Sequence, residues 1–248
     1  MNQYRVTSRT WTAVALVAVL ATGCGAKAGR SSAFAPSTPP GSQGSQGSQV
    51  PMLPGHYEPL WPFADSAQVT AWQQAYRTGG HSPWHLSTDV TALSFAQGYL
   101  GFADITEVTG RNVTASDARI SVGGKAGTAA VIHLVRTGSG PDAPWEVVGT
   151  DDTDLSITAP AYGSAAVSPV TAGGLITGAG ESLRISVRAL GAAAPLGGFC
   201  CLAAGGRKTP WSKVVSFQAG AGRVLTIVVS TGGHIAAVEH FAVTGVRS

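Results

Sequence analysis

Glycine and proline recur so often in this chain that its folded part must be built mainly from short strands and turns. There are 33 Gly and 14 Pro, together about a fifth of all residues against a usual ~12%. The excess stops short of the ~25–30% that marks a disordered chain. Charge is correspondingly scarce: 12% of residues are Asp, Glu, Lys or Arg, against about 25% in an average soluble domain. No stretch of about 20 apolar residues occurs apart from one run near the N-terminus, which excludes a polytopic membrane protein. A formal net charge of +3 excludes a strong polyanion binder, so no nucleic acid partner is expected.

The N-terminal run sets the expected compartment. Met1–Thr10 carries Arg5 and Arg9 and no acid; Trp11–Ala21 (WTAVALVAVLA) is apolar, and Thr22 and Gly23 lead into Cys24. A positive start, a short apolar run and small residues at its end make a secretory signal, too short to span a bilayer. The segment Leu20-Ala21-Thr22-Gly23-Cys24 resembles the lipobox of bacterial lipoproteins. It departs from it in having Ala21 where leucine usually stands. The resemblance implies removal of residues 1–23 and acylation of Cys24, hence a chain anchored by lipid to the extracytoplasmic face of the membrane. The alternative is an ordinary signal cut elsewhere, with Cys24 a spare thiol. Removal would take Arg5 and Arg9 away and leave a net charge of +1, so the basic balance is largely a targeting feature. Residues 24–55 are rich in Gly, Ser, Gln and Pro, with GSQ three times from Gly41. They read as a flexible tether reaching about 30 Å on average. Low Lys with high Ala and Gly usage fits a high-GC coding sequence, as in actinobacterial envelopes.

Residues 56–154 read as a small α+β domain. Asp65-Ser66-Ala67-Gln68 caps a helix with Val69, Trp72 and Tyr76 on one face, ending at Gly79-Gly80. Ser87-Thr88-Asp89-Val90 opens a second, with Leu93, Phe95, Ala96, Tyr99 and Leu100 as its apolar face. The period then changes to two in Asp117–Val122, Ala129–Arg136 and Trp145–Thr150, giving an antiparallel sheet. The element order resembles that of cystatin-like or NTF2-like domains.

Residues 155–248 show no convincing helix. Strands are expected at Leu155–Thr158, Val167–Ile176, Leu183–Ala189, Leu202–Ala204, Val214–Ala219, Arg223–Ser230 and Ala236–Val246. Their spacing indicates an all-β, immunoglobulin-like sandwich. Val167, Ser168, Pro169, Val170 and Gly174, then Glu181, then Leu183, Ile185 and Val187, followed by Trp211–Phe217, resemble the immunoglobulin-like domain associated with bacterial spore-germination proteins. The GerMN domain often found beside that module is not recognisable in residues 57–154. The resemblance implies an extracytoplasmic binding or spacer module and brings no catalytic residue.

Candidate chemistry is sparse. Cys200 and Cys201 are adjacent, and in an oxidising compartment they would form a vicinal disulfide, stay as two buried thiols or pair with another molecule. His81 and His85 are four apart, but Pro83 between them and Gly79-Gly80 before them indicate a loop, and no metal is expected. Asp151-Asp152-Thr153-Asp154 lacks the glycine and terminal glutamate of a calcium loop and reads as a solvated linker. No nucleophile elbow, P-loop or dinucleotide fingerprint occurs, so neither a catalytic residue nor a cofactor is expected. Pro-Trp occurs three times. Trp84, Trp145 and Trp211 are the candidate binding aromatics, which would serve as a stacking platform if exposed and as core if not. The sequence therefore points to a non-enzymatic, membrane-anchored binding module with an envelope protein or glycan as partner. Its rivals are a cell-wall hydrolase with a site in the α+β domain, and an NTF2-like receptor with a cavity lined by Trp72, Phe95, Tyr99 and Trp145.

Overall fold

The computed structural model describes residues 52–80, 83–232 and 238–248. Cys24, the expected signal and residues 24–51 of the expected tether lie outside them, as does His81. Among the described residues no helix is long and apolar enough to cross a membrane. The fold is mostly β: two antiparallel four-stranded sheets with few helices.

Helix α1 (Ser66–Arg77) starts where Asp65 accepts a hydrogen bond from the Gln68 amide at 2.9 Å, satisfying a helix-end donor. Val69 and Gln73 form its buried face. The Gln73 amide donates to the carbonyls of Ser139 and Asp142 at 2.8 and 3.0 Å, which ties the helix to a loop of the following sheet. Helix α2 (Thr88–Ser94), capped by Ser87, runs on as a π-helical segment, Phe95–Leu100. Gly101 stops it in the left-handed region at φ 88°.

The first sheet is a meander in the order β1-β2-β3-β4: Glu107–Val113, Asp117–Gly124, Gly127–Arg136 and Trp145–Asp151. The register sets Ala118 opposite Leu134, Ile120 opposite Ile132, and Leu134 opposite Val147. These side chains share one face and close a core with Ala92, Phe95 and Ala96 of the helical segment. Strand β1, polar and largely exposed, has no counterpart among the strands expected from the sequence. Its alternation is hidden because neither face is deeply buried. The β4 edge is covered by Leu60 and Trp61, which exchange backbone hydrogen bonds with Val147 at 3.0 and 2.7 Å. Leu53, just ahead of the expected boundary at 56, packs with Val135 and Val148 on the opposite face.

The second sheet has the order β6-β5-β7-β8, with β5 Val170–Arg188, β6 Gly197–Val215, β7 Val224–Thr231 and β8 Phe241–Arg247. Two pairs of expected strands are thus single 19-residue strands. The glycines that read as turns are absorbed as register shifts around Gly178 instead. The first part of β5 pairs with Thr209–Val215 and bridges to Leu155 and Ala159, while Leu183–Arg188 pairs with β7. Side chains from both parts, including Ala172, Ile176, Leu183, Ile185 and Val187, meet in one core. The long hairpin therefore folds over on itself. Gly174 lets the 155–159 segment pack against the first part of β5: a Cβ there would sit 1.9 Å from the Ser156 carbonyl oxygen.

Strands β7 and β8 have two buried faces. Leu225, Ile227, Val229, Ala242 and Val246 enter the second core, whereas Val228, Phe241 and Val243 enter the first. Residue 154 marks a change of sheet rather than a break in packing, and the described residues all fall within one compact unit. Glycine substitutions test this close approach. Gly174→Ala should lower stability by about 1–3 kcal/mol, a fall in Tm of several degrees for a unit of this size. Gly98→Ala, in the helical segment with open space around its Cβ position, should be neutral or slightly stabilising. Equal melting temperatures for the two variants would contradict the packing described.

Candidate functional site

The Trp61-Pro62-Phe63 segment runs beside β4 and gathers an aromatic corner around it. Trp145 and Val147 point into the first core, so Glu146 between them takes the other face. Its Oε2 accepts the Phe63 amide at 3.2 Å, and its Oε1 has no partner among the described residues. The side chain is fully buried. Burial holds the Glu146 carboxyl well above the usual carboxylate range, although the backbone amides of Phe63 and Trp61 oppose the shift.

His85 lies in a single 3₁₀ turn, Pro83–Leu86, and is buried. Its ring stands 4.9 Å from Phe63 and edge-on to Trp72 at 5.1 Å. Desolvation lowers its pKa from 6.5 to about 4, so it is neutral at pH 7. His85 Nδ1 and Trp72 Nε1 also lack partners among the described residues. Two buried polar atoms without partners thus fall within one ring cluster, and a third, Glu146 Oε1, is buried on the side chain that accepts the Phe63 amide, a concentration unusual for a native interior. Trp72 stacks further on Tyr76 at 5.4 Å.

Trp84 forms the outer layer of this corner. It is half-buried and stacks on Trp61, with ring centroids 5.3 Å apart and planes 28° from parallel. Trp61 in turn meets Phe95 of the first core at 6.0 Å. The other two candidate aromatics do not serve as platforms. Trp145 is 2% and Trp211 5% exposed, each within a core, because each faces inward from its strand. Phe95 joins Trp145 in the packed first core, and Trp72 belongs to the ring cluster instead.

A second feature lies at the seam of the two sheets. A cavity of about 200 Å³ is lined by Tyr57, His133, Thr150, Tyr162, Val243 and Thr244, among others. His133 Nε2 is 2.7 Å from Asp117 Oδ2, and its ring meets Tyr57 edge-on at 4.9 Å. Asp117 also receives the Arg119 guanidinium, which pairs with Asp151 at 2.8 Å. Asp151 therefore belongs to an ion-pair chain rather than to a solvated linker. No cluster of three or more potential metal-binding side chains occurs among the described residues. On β6, Cys200 and Cys201 are exposed, and the structure joins their sulfurs in a vicinal disulfide across a cis peptide bond. The pair stands opposite the single residue Arg184, between the register pairs Leu183–Leu202 and Ile185–Phe199.

The sequence singles out Trp84 but not the partners that make it a surface. Trp61 carries a signal in the reversed Trp-Pro dipeptide, and Glu146 in being an acid set between Trp145, Val147 and Val148. No known family model, curated protein or solved structure matches the chain.

The two shifted groups predict opposing pH effects. An unfolded His85 binds a proton near pH 6.5 while the folded one does not until about 4. Its contribution is therefore complete above pH 6.5 and is lost as pH falls toward 4, by up to about 3 kcal/mol. Glu146 acts in reverse: its contribution is complete below its ordinary value of 4.5 and falls as pH rises toward its folded value. Melting curves from pH 4 to 8 should show a shallower acid loss for His85→Phe than for the wild type. Glu146→Gln, which keeps an acceptor for the Phe63 amide, should melt higher than the wild type at pH 8 and close to it at pH 4. Parallel pH profiles for wild type and both variants would refute the assignment.

Proposed function

We propose that this chain is a non-enzymatic binding module, held at the extracytoplasmic face of the membrane by acylation of Cys24. It takes an envelope glycan or protein on the Trp61–Trp84 shelf. The observation that carries this reading is the stacking of half-buried Trp84 on Trp61, backed by rings that fix both in place. A rigid aromatic surface gives large contact area at little entropic cost, which suits stacking on sugar rings and hot-spot contacts with proteins. The folded-over β5–β6 hairpin around a single core supports the immunoglobulin-like reading of residues 155–248. It also suits the resemblance to the spore-germination-associated module.

The features that would favour a hydrolase are distributed unhelpfully for one. Catalysis needs shifted groups that a substrate can reach. Glu146 and His85 are shifted but buried. His133 borders a cavity, yet its carboxylate partner is shared with Arg119. The packing of Phe95 and Trp145 into one core argues against the apolar receptor cavity expected of an NTF2-like protein.

The test uses the compact unit 45–248 as bait against isolated envelope polysaccharide and solubilised membranes. Wild type should retain a partner, and Trp84→Ala should retain at least about tenfold less, an effect of ~1.4 kcal/mol or more, while still melting cooperatively with a Tm only a few degrees lower. Equal retention by the variant, or none by the wild type, overturns the reading. Separately, mass spectrometry of the membrane fraction should find acyl chains on Cys24, since two or three chains are needed for stable anchoring. An unmodified Cys24 in the membrane fraction refutes the anchor.

A further inference from the structure

The face of the second sheet turned away from its own core carries a cationic groove separate from the aromatic corner. Leu183, Ile185 and Val187 enter the second core, so Arg184, Ser186 and Arg188 line the other face of β5. The register sets Ser230 of β7 opposite Arg184 and Val228 opposite Ser186. The end of the helical segment lies over this face. There Arg188 donates to the carbonyls of Tyr99 and Leu100 at 2.9 and 3.4 Å, and its guanidinium lies 5.8 Å from the Tyr99 ring. Between the two lies a cavity of about 400 Å³, walled by Phe102, Arg184, Ser186, Arg188, Ser230 and Thr231 among others. It adjoins a second of about 260 Å³ that shares Gly101, Phe102 and Ser230–Gly232.

The lining of the larger cavity holds two guanidinium groups and the Ser186 and Ser230 hydroxyls; the third hydroxyl, of Thr231, donates to Glu239, which with Asp104 lines the adjoining cavity. Arg77, Arg111, Arg119 and Arg247 are each paired with an acid, and Arg188 is fixed by backbone carbonyls. Arg184 forms no ion pair among the described residues. Within the groove Arg184 is thus left available beside two serine hydroxyls, with Leu100, Phe102 and Val228 supplying an apolar wall. The bulge at Cys200–Cys201 stands directly across from Arg184 on β6, and bulges re-aim the side chains they face.

We propose that this groove binds a phosphate ester with an apolar body. The phosphate is held by the Arg184 guanidinium and the hydroxyls of Ser186 and Ser230, and the apolar part lies along Phe102. A guanidinium with two hydroxyls presents more donors than a carboxylate's two oxygens use at one end, and a phosphate supplies the additional acceptors. The ester could be a lipid headgroup or a soluble metabolite; the chemistry recognised is the same.

Titration of the 45–248 unit with octyl phosphate, followed by calorimetry, tests the site. Binding with a Kd below about 1 mM is expected, at least tenfold tighter than inorganic phosphate and tighter than uncharged octyl glucoside. Arg184→Ala should weaken it at least tenfold with an unchanged Tm, because the side chain is exposed. Phe102→Ala should weaken octyl phosphate but leave the inorganic phosphate affinity as it was. No binding of octyl phosphate, equal binding of octyl glucoside, or an Arg184→Ala variant that binds like wild type overturns the proposal. Flotation with phosphatidylglycerol vesicles identifies the source. Arg184-dependent flotation assigns a lipid headgroup, whereas octyl phosphate binding without flotation assigns a soluble ester.

Discussion

The burial of β7 and β8 on both faces is the constraint on which the rest of the structure depends. Along Phe241–Arg247, Phe241 and Val243 serve one core while Ala242 and Val246 serve the other. A strand with two buried faces must be apolar nearly throughout, and FAVTGVR is. Its one threonine is buried, and Gly245 meets Leu60 and Glu58 so closely that a Cβ would lie 2.8 Å from the leucine. Neither sheet can therefore be loosened at this strand without opening both cores. A cooperative unit, not two independent beads on a string, is the physical consequence.

Joining two sheets through a strand obliges the seam to satisfy its polar groups internally. Thr150 does so by accepting the Val243 amide at 2.9 Å and donating back to its carbonyl. Tyr162 accepts the Glu58 amide at 2.7 Å, and the Glu58 carboxylate meets Arg247 at the same distance. Glu58 is fully buried, so the pair costs desolvation that its attraction only partly offsets. Its value lies in register. With Arg247 near the end of β8 and Glu58 ahead of Trp61, the pair fixes where the chain's first described segment lies against its last strand. Burial of Tyr162 beside Glu58 raises the phenol well above its ordinary range, so it stays a hydrogen-bonding hydroxyl at any physiological pH.

Much of this architecture is legible in the sequence. Asp65 and Ser87 announce both helix starts, and Gly101 the stop, because capping is local chemistry. Strand β2 can be read from alternation and β3 and β4 from β-branched, apolar runs, since β2 has one deeply buried face and the others are buried on both. Legibility fails where burial is slight or where glycines interrupt a strand. Strand β1 has too little burial to alternate clearly, and β5 and β6 contain glycines that resemble turns. Gly173 and Gly174 are not a turn but a place where neighbouring backbones approach, with a Cβ at Gly174 colliding with Ser156. One-dimensional pattern cannot separate those uses of glycine, because both demand only the absence of a side chain.

The tryptophans show the same limit from the opposite direction. The three Pro-Trp dipeptides carry no rule of orientation. In each, proline brings no backbone donor just before an aromatic residue, and the dipeptide is silent about which way the ring turns. Trp145 and Trp211 each begin or sit within a strand whose alternation sends the ring inward. Trp84 sits in a single 3₁₀ turn, where its neighbour His85 takes the buried position and leaves it the outer one. The choice is made by residues distant in sequence: Phe63 and Trp72 enclose His85, and Trp61 offers a face to Trp84. An aromatic surface here is a property of what lies beneath it, and the ring that shows is the one whose neighbour holds the buried place.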